Sequence, residues 1–272
     1  MNEIELKKTY WASVSGGKDS LYMLKLILSN PAKYPLDGVV HFELEIDYPF
    51  IKNVIDYMER ECKTRGITFI RIKPTKTWFE LYGKYGFPTR VARWCNSAYK
   101  LDALKQLKEF LKERNCEKIC YIGYCYDEIK RIENHGTHDI YPLHEEQINE
   151  SEILEWAKNV PLFNDYYKYN TRCGCMFCPL QTRRNLAYLY KFYPDKFSEL
   201  MCYAKRTEEI REIEINRPFS VWSSNPKYNT DYVINNVITK HLPKLETEMK
   251  GDKYVNQSGG EPMQVQESEV EE

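Results

Sequence analysis

Six consecutive residues, Ser15-Gly16-Gly17-Lys18-Asp19-Ser20, stand between an apolar β-like run at 10–14 and a helical run at 21–28. Two adjacent glycines let the backbone turn sharply with its N–H groups facing inward, and a helix that starts directly behind them adds the positive end of its dipole. Lys18 supplies a mobile positive charge, and the hydroxyls of Ser15 and Ser20 are further donors. This combination is a phosphate cradle. It does not follow the Walker A pattern, whose first glycine would fall on Ala12 and whose hydroxyl residue after the lysine is here Asp19, and no G-x-G-x-x-G is present.

A second constellation is sulfur-based. Cys173, Cys175 and Cys178 lie within six residues around Gly174, a spacing that can point three thiolates at one metal centre. The chain has nine cysteines in 272 residues. With no apolar N-terminal targeting run and no stretch approaching roughly 18 apolar residues, they suggest a soluble, cytoplasmic protein with reduced thiols and no membrane partner. Cys62, Cys116, Cys120 and Cys202 read as packing residues, whereas Cys125 borders the presumed pocket and is undecided. The formal charge of −1 excludes a molecule-wide basic field but leaves room for a local patch. The 22 tyrosines recur at helical or strand spacing and read as packing.

The elements that must position these groups follow an alternating pattern. Strand candidates at 10–14, 36–42, 67–72 and 118–123 alternate with helices at 21–28, 49–65 and 97–114. This predicts an α/β fold with a doubly wound, mainly parallel sheet and helices on both faces. Further helix candidates at 150–159, 182–192, 194–212 and 229–241 make the C-terminal region mostly helical. In such a sheet a ligand binds beyond the carboxyl ends of the strands, so the loop at 15–20 and the residues after Gly123 face one pocket. From about residue 244 the chain is polar and ends in acidic residues, which predicts a disordered acidic tail. The expected organisation is 1–145, 146–243 with the cysteine-rich turn, and 244–272.

The hexapeptide resembles the SGGKDS loop of the PP-loop ATP pyrophosphatase superfamily. Segments behind it resemble, in order, the branch of phosphoadenosine phosphosulfate (PAPS) and adenosine phosphosulfate (APS) reductases. Arg93-Trp94-Cys95-Asn96-Ser97-Ala98-Tyr99-Lys100 is similar to R-x-C-x4-K, and the run from Gly123 through Asp127-Glu128 to Arg131 is similar to G-x-x-x-D-E-x-x-R. Tyr141-Pro142-Leu143 before Trp156 and the Gly174-Cys175-Met176-Phe177-Cys178 turn complete the series. The resemblance implies a 1–145 adenine-nucleotide-binding domain that takes ATP or PAPS/APS on Ser15, Gly16, Gly17, Lys18, Asp19 and Ser20. Lys100, Asp127, Glu128 and Arg131 are added to that set, and Lys18, Asp19 and Arg131 are the catalytic candidates. Lys100 and Arg131 suit phosphate or sulfate oxygens. Asp127 and Glu128 orient Arg131, hold Mg²⁺ through water, or simply open a helix. By the same resemblance Cys95 joins Cys173, Cys175 and Cys178 as ligands of a [4Fe–4S] cluster, with zinc as the alternative. Two departures stand out. The family's adjacent Cys-Cys is here Trp94-Cys95, and no cysteine follows Cys202, where the reductases carry their catalytic thiol.

Three functions follow from this reading. The first is a PAPS reductase-family enzyme acting on ATP or an adenylyl sulfate with sulfur-related chemistry beside the cysteine centre. The second is an ATP-pyrophosphatase sulfurtransferase that thiolates tRNA or DNA, phosphorothioation included, and receives sulfur from a donor protein. Basic segments at 100–118, 183–184 and 205–206 are its candidate contacts with a phosphate backbone. The third is a non-catalytic nucleotide-binding module. The oligomeric state stays open.

Overall fold

The computed structural model describes residues 7–114, 116–134 and 138–258. The strands β1 (Lys7–Val14), β2 (Gly38–Phe42), β3 (Thr68–Ile72) and β4 (Cys116–Tyr121) form one parallel sheet in the order β3-β2-β1-β4. Strand order reverses at β1, so a crevice opens at the carboxyl ends of β1 and β4, beside the phosphate loop. Alternation along the strands sends side chains to two faces. Ala12, Val14 and Val39 join the larger core with Leu21, Leu24 and Ile27 of α1 (Lys18–Ser29) and Val54, Ile55 and Met58 of α2 (Pro49–Lys63). Trp11 and Val40 face the other way.

That second face is covered from a different direction. After α3 (Trp78–Tyr85), which opens with a Thr77/Glu80 capping box, a π-helical turn at Cys95–Lys100 leads into α4 (Leu101–Lys112). Leu107 and Leu111 of α4 pack on Trp11 and Val40. The sheet is thus flanked on both faces, as the sequence predicts. Gly38 is obligatory in this packing, because a Cβ there would stand 2.4 Å from the Trp11 ring. The single helix expected at 97–114 is in fact two pieces. The wider π turn carries Tyr99 into the core, where its hydroxyl accepts from the Glu45 N–H at 3.2 Å.

The rest of the chain is helical: α5 (Ile129–Glu133), α6 (Pro142–Glu145), α7 (Glu150–Lys158), α8 (Tyr166–Tyr169), α9 (Arg183–Phe192), α10 (Pro194–Ile215), α11 (Thr230–Asn236) and α12 (Leu242–Ser258). The disordered tail expected from residue 244 needs correction, because α12 runs to Ser258. Leu245 is buried, and Glu246 and Glu248 pair with Lys191 and Arg184 at 2.5 Å each. One inward leucine and two pairs to α9 anchor a segment whose composition alone reads as unfolded. Residues 259–272, the remainder of the expected tail, lie outside the described residues. Among the described residues no helix is long and apolar enough to cross a membrane.

Candidate functional site

The loop between β1 and α1 has the geometry its glycines require. Gly16 adopts φ 75°, and a Cβ there would meet Ile51 Cγ2 at 2.8 Å. Both the backbone angle and the space therefore demand glycine. Ser20 Oγ donates to the Gly17 carbonyl (3.0 Å) and accepts from the Ser15 N–H (3.2 Å), so this hydroxyl braces the loop. The N–H of Lys18 donates to the hydroxyl of Tyr167 at 3.0 Å. Three of the amides expected to face a phosphate, those of Ser15, Gly17 and Lys18, are thus held by side chains of the protein itself.

Lys18 is almost fully buried, and its ammonium contacts Asp19 Oδ1 at 2.7 Å and Glu150 Oε1 at 3.2 Å. Glu150 in turn holds Arg172 through both of its oxygens, at 3.2 and 3.0 Å. Arg172 also approaches Glu128 at 3.7 Å, and Glu128 pairs with Arg131 at 2.5 Å. Acids and bases alternate from Lys18 to Arg131 in a continuous chain along the loop mouth. Burial pushes the Asp19 carboxyl above the usual carboxylate range, and Lys18 opposes that shift. Glu150 is held below it, because contacts from Arg172 and Lys18 outweigh burial. Asp127 accepts from the Glu150 N–H at 3.1 Å, which fixes the start of α7. Arg131 lies over the Tyr124 ring at 4.2 Å. Gly123 lets the chain after β4 pass the loop closely, since a Cβ would come within 3.2 Å of the Asp19 carbonyl. Cys125, undecided from sequence, is buried and donates its thiol to Asp19 Oδ1 at 3.8 Å.

A cavity of about 230 Å³ joins this loop to the cysteine turn. Ser15 and Gly17 form one wall and Cys173, Gly174 and Cys175 another, with His41, Asp47 and Lys100 between them. Burial works against the Lys100 charge, but Cys175, Asp47, Cys178 and Cys95 around it raise its pKa. Burial pushes Asp47 up to about 7 against the pull of Lys100. Burial also lowers His41 from its ordinary 6.5, and its Nδ1 lies 3.0 Å from the Val14 carbonyl. A neutral ring donates there and leaves Nε2 as an acceptor.

The cysteines do not form one group. Cys95, Cys175 and Cys178 share Lys100 as a common counter-charge, and Arg93 also acts on Cys95 and Cys178. Cys175 and Cys178 hydrogen-bond to each other, and the Leu180 N–H donates to Cys178 Sγ at 3.4 Å. The sulfur of Cys173 instead lies against the hydroxyls of Tyr166 and Tyr167. Cys173 thus has tyrosine hydroxyls among its contacts, and among the described residues no group of three or more His, Cys, Asp or Glu is arranged to hold a metal ion. Cys62 and Cys120 are buried, in line with packing, whereas Cys202 is exposed on α10.

Glu150, Tyr167, Asp47 and His41 escaped the sequence reading. Glu150 looks like an ordinary first-turn acid, and Tyr167 is one of many tyrosines. Of the basic segments singled out as phosphate contacts, Lys100 lines the cavity, Arg184 pairs with Glu248, and Lys205 pairs with Asp231 at 2.9 Å.

A family model described as the phosphoadenosine phosphosulfate reductase domain matches residues 9–181. The chain is 29% identical over 229 residues to Uncharacterized protein MJ0973 of Methanocaldococcus jannaschii, covering 79% of this chain and 52% of that protein. It is 29% identical over 203 residues to Uncharacterized protein MJ0066 of the same organism, covering 70% of this chain and 40% of that protein. The chain thus spans about half or less of the length of these curated relatives. Among solved structures, the U34-tRNA thiolase NcsA from Methanococcus maripaludis with its [4Fe-4S] cluster aligns with TM-score 0.39 and 20% identity, over 76% of this chain and 73% of that one.

Proposed function

We propose, from the premise that the chain belongs to the phosphoadenosine phosphosulfate reductase family, that it is an ATP-using sulfur-transfer enzyme. ATP would place its β- and γ-phosphates on the Ser15–Ser20 loop. An acceptor oxygen then attacks the α-phosphorus and pyrophosphate leaves; sulfide-level sulfur next bonds to the acceptor carbon, the carbon–oxygen bond breaks and AMP leaves. The observation that carries this reading is the single cavity walled by Ser15 and Gly17 on one side and by Cys173, Gly174 and Cys175 on the other. An activated acceptor and a sulfur centre would share that space.

The residues divide the work. Lys18, oriented by Asp19 and Glu150, stabilises negative charge on the departing pyrophosphate. Asp19 and Asp127 each accept a protein donor at only one oxygen among the described residues, which leaves the other free for a water of hydrated Mg²⁺. Lys100 reaches the same cavity as a buried cation. Arg131, drawn to Glu128, sets the outer end of the ionic chain rather than the cavity wall.

An all-thiol donor set balanced by Lys100 and Arg93 fits a [4Fe–4S] cluster on Cys95, Cys175 and Cys178, with zinc as the alternative. Such a cluster would supply or bind the sulfur to be transferred. Cys173, facing Tyr166 and Tyr167, stands apart from that set. Burial raises the thiols of both cavity-lining residues, Cys173 and Cys175, with Cys178 contributing first at Cys175.

The test supplies ATP, Mg²⁺ and inorganic sulfide to anaerobically purified protein, with RNA as acceptor, and follows AMP and pyrophosphate. Formation of both supports the reading. Sulfite from an adenylyl sulfate with a dithiol reductant, without AMP from ATP, would replace it with sulfate reduction. ATP binding with no turnover of either substrate would leave a nucleotide-binding module.

A further inference from the structure

The largest opening beside the cysteine turn is not the nucleotide cavity. A groove of about 860 Å³ runs between the 85–97 segment and the C-terminal part of α10 with the chain that follows it. Its floor is fixed. Gly86 takes φ 72° and packs on Thr207, whose Oγ1 accepts from the Phe87 N–H at 2.8 Å, while Trp94 Nε1 donates to the Gly86 carbonyl at 3.0 Å. The bend that forms the groove is therefore built into the fold.

The lining alternates aromatic rings with guanidinium groups. Tyr85 is 38% exposed, and its ring and that of Trp94 lie 6.0 Å apart at 34°. Arg93, Arg211 and Arg217 line the same groove. Arg211 is partly neutralised by Glu214 at 2.7 Å. Among the described residues, Arg93 and Arg217 pair with no carboxylate. Arg93, Trp94 and Asn96 of the lining flank Cys95 in the chain, so the groove lies beside that thiol. Asn96 and Ser97 complete that side, and neither side chain has a hydrogen-bond partner among the described residues.

We propose that this groove docks a single-stranded RNA segment, with an unstacked base on the Tyr85–Trp94 surface and phosphates on Arg93, Arg211 and Arg217. Unpaired guanidinium groups match phosphate oxygens through two parallel hydrogen bonds. The exposed part of the Tyr85 ring, which Lys84 Nζ approaches at 5.0 Å, suits any base, since every base has a π face. An acidic peptide would satisfy the charges but leave the rings uncovered. The free amide of Asn96 and hydroxyl of Ser97 can donate to and accept from a ribose 2′-OH, the group that separates RNA from DNA. The sulfur-transfer reading enters only in what becomes of the strand once docked, since it would then lie beside the cysteine turn as the sulfur acceptor.

Binding of a short unstructured fluorescent RNA to the full chain, read by anisotropy at several salt concentrations, tests the proposal. Affinity falls with salt, and Arg211→Ala with Arg217→Ala lowers the logarithmic salt slope by about 1.4. Tyr85→Ala weakens binding about tenfold while Tyr85→Phe retains it. DNA of the same sequence binds more weakly. The proposal is overturned if polyglutamate or the matching DNA competes as well as RNA does, or if the Ala variants, shown folded by circular dichroism, bind RNA like the unaltered protein. RNA binding without AMP formation from ATP would defeat the sulfur-transfer reading and leave the groove standing. AMP formation with no RNA binding in the groove would do the reverse.

Discussion

The phosphate loop and the cysteine turn face each other across one cavity, yet they are built on opposite plans. The loop springs from a sheet strand, and its one lysine already has two carboxylate partners. The turn lies between helices, and its thiols are balanced only by Lys100 and Arg93 at a distance. The charge of the loop lysine is thus matched within the polypeptide, whereas the turn carries the thiols that the proposed function assigns to a metal centre.

The sharpest test of that contrast is metal content. Single Ser replacements of Cys95, Cys175 or Cys178 are expected to abolish nearly all iron and sulfide in anaerobically purified protein, while Cys173→Ser retains them. Elemental analysis and visible absorption decide this, and full metal in Cys175→Ser and Cys178→Ser would remove the turn from the comparison.

Lys18→Ala comes next. Losing a charge-assisted contact predicts about 10- to 100-fold weaker ATP binding by calorimetry. Leaving Asp19 and Glu150 facing each other without their shared cation also lowers the melting temperature. Unchanged affinity would mean that the loop does not hold the phosphates.

The two glycines give a smaller, paired effect. Gly16→Ala must both adopt positive φ and displace Ile51, so a loss of roughly 1–3 kcal/mol is expected. Gly174→Ala meets nothing within 4 Å and should stay within about 0.5 kcal/mol. Chemical denaturation measures both, and equal losses would erase the distinction between a rigid loop and an accommodating turn.

The smallest effect concerns pH. His41 has a folded pKa below its ordinary 6.5, so the folded state binds fewer protons there than the unfolded chain. Its contribution to stability is present above about 6.5 and is lost as pH falls toward the folded value. Thermal melts of the unaltered protein should decline over that range, and His41→Gln should flatten the decline. An identical slope in the variant would show that His41 is not the group responsible.

The loop was legible because its chemistry is local. Two glycines, a lysine and a following helix must be contiguous to work, so Ser15 to Ser20 spell it out. The parallel sheet was legible for the same reason, in the alternation of short apolar runs with amphipathic helices. Glu150 and Tyr167 were not legible. Each reaches Lys18 from more than 130 residues away, and nothing in the local spelling separates that glutamate or tyrosine from its neighbours. The cysteine turn falls between these cases. Its spacing was plain, but the contacts of Cys173 with the Tyr166 and Tyr167 hydroxyls could not be read from the sequence. The acidic end was misjudged where α12 begins, because one buried leucine and two ion pairs to α9 decide its fate.

The amide of Lys18 has a single hydrogen to give, and Tyr167 holds it. A phosphate oxygen that takes that hydrogen releases the tyrosine hydroxyl, which lies next to the Cys173 sulfur. One hydroxyl can accept from the loop amide and donate toward sulfur at the same time, so Tyr167 is a brace shared by the two sides of the cavity. Tyr167→Phe is expected to loosen both at once, read as weaker nucleotide binding together with altered reactivity of Cys173 toward a thiol reagent.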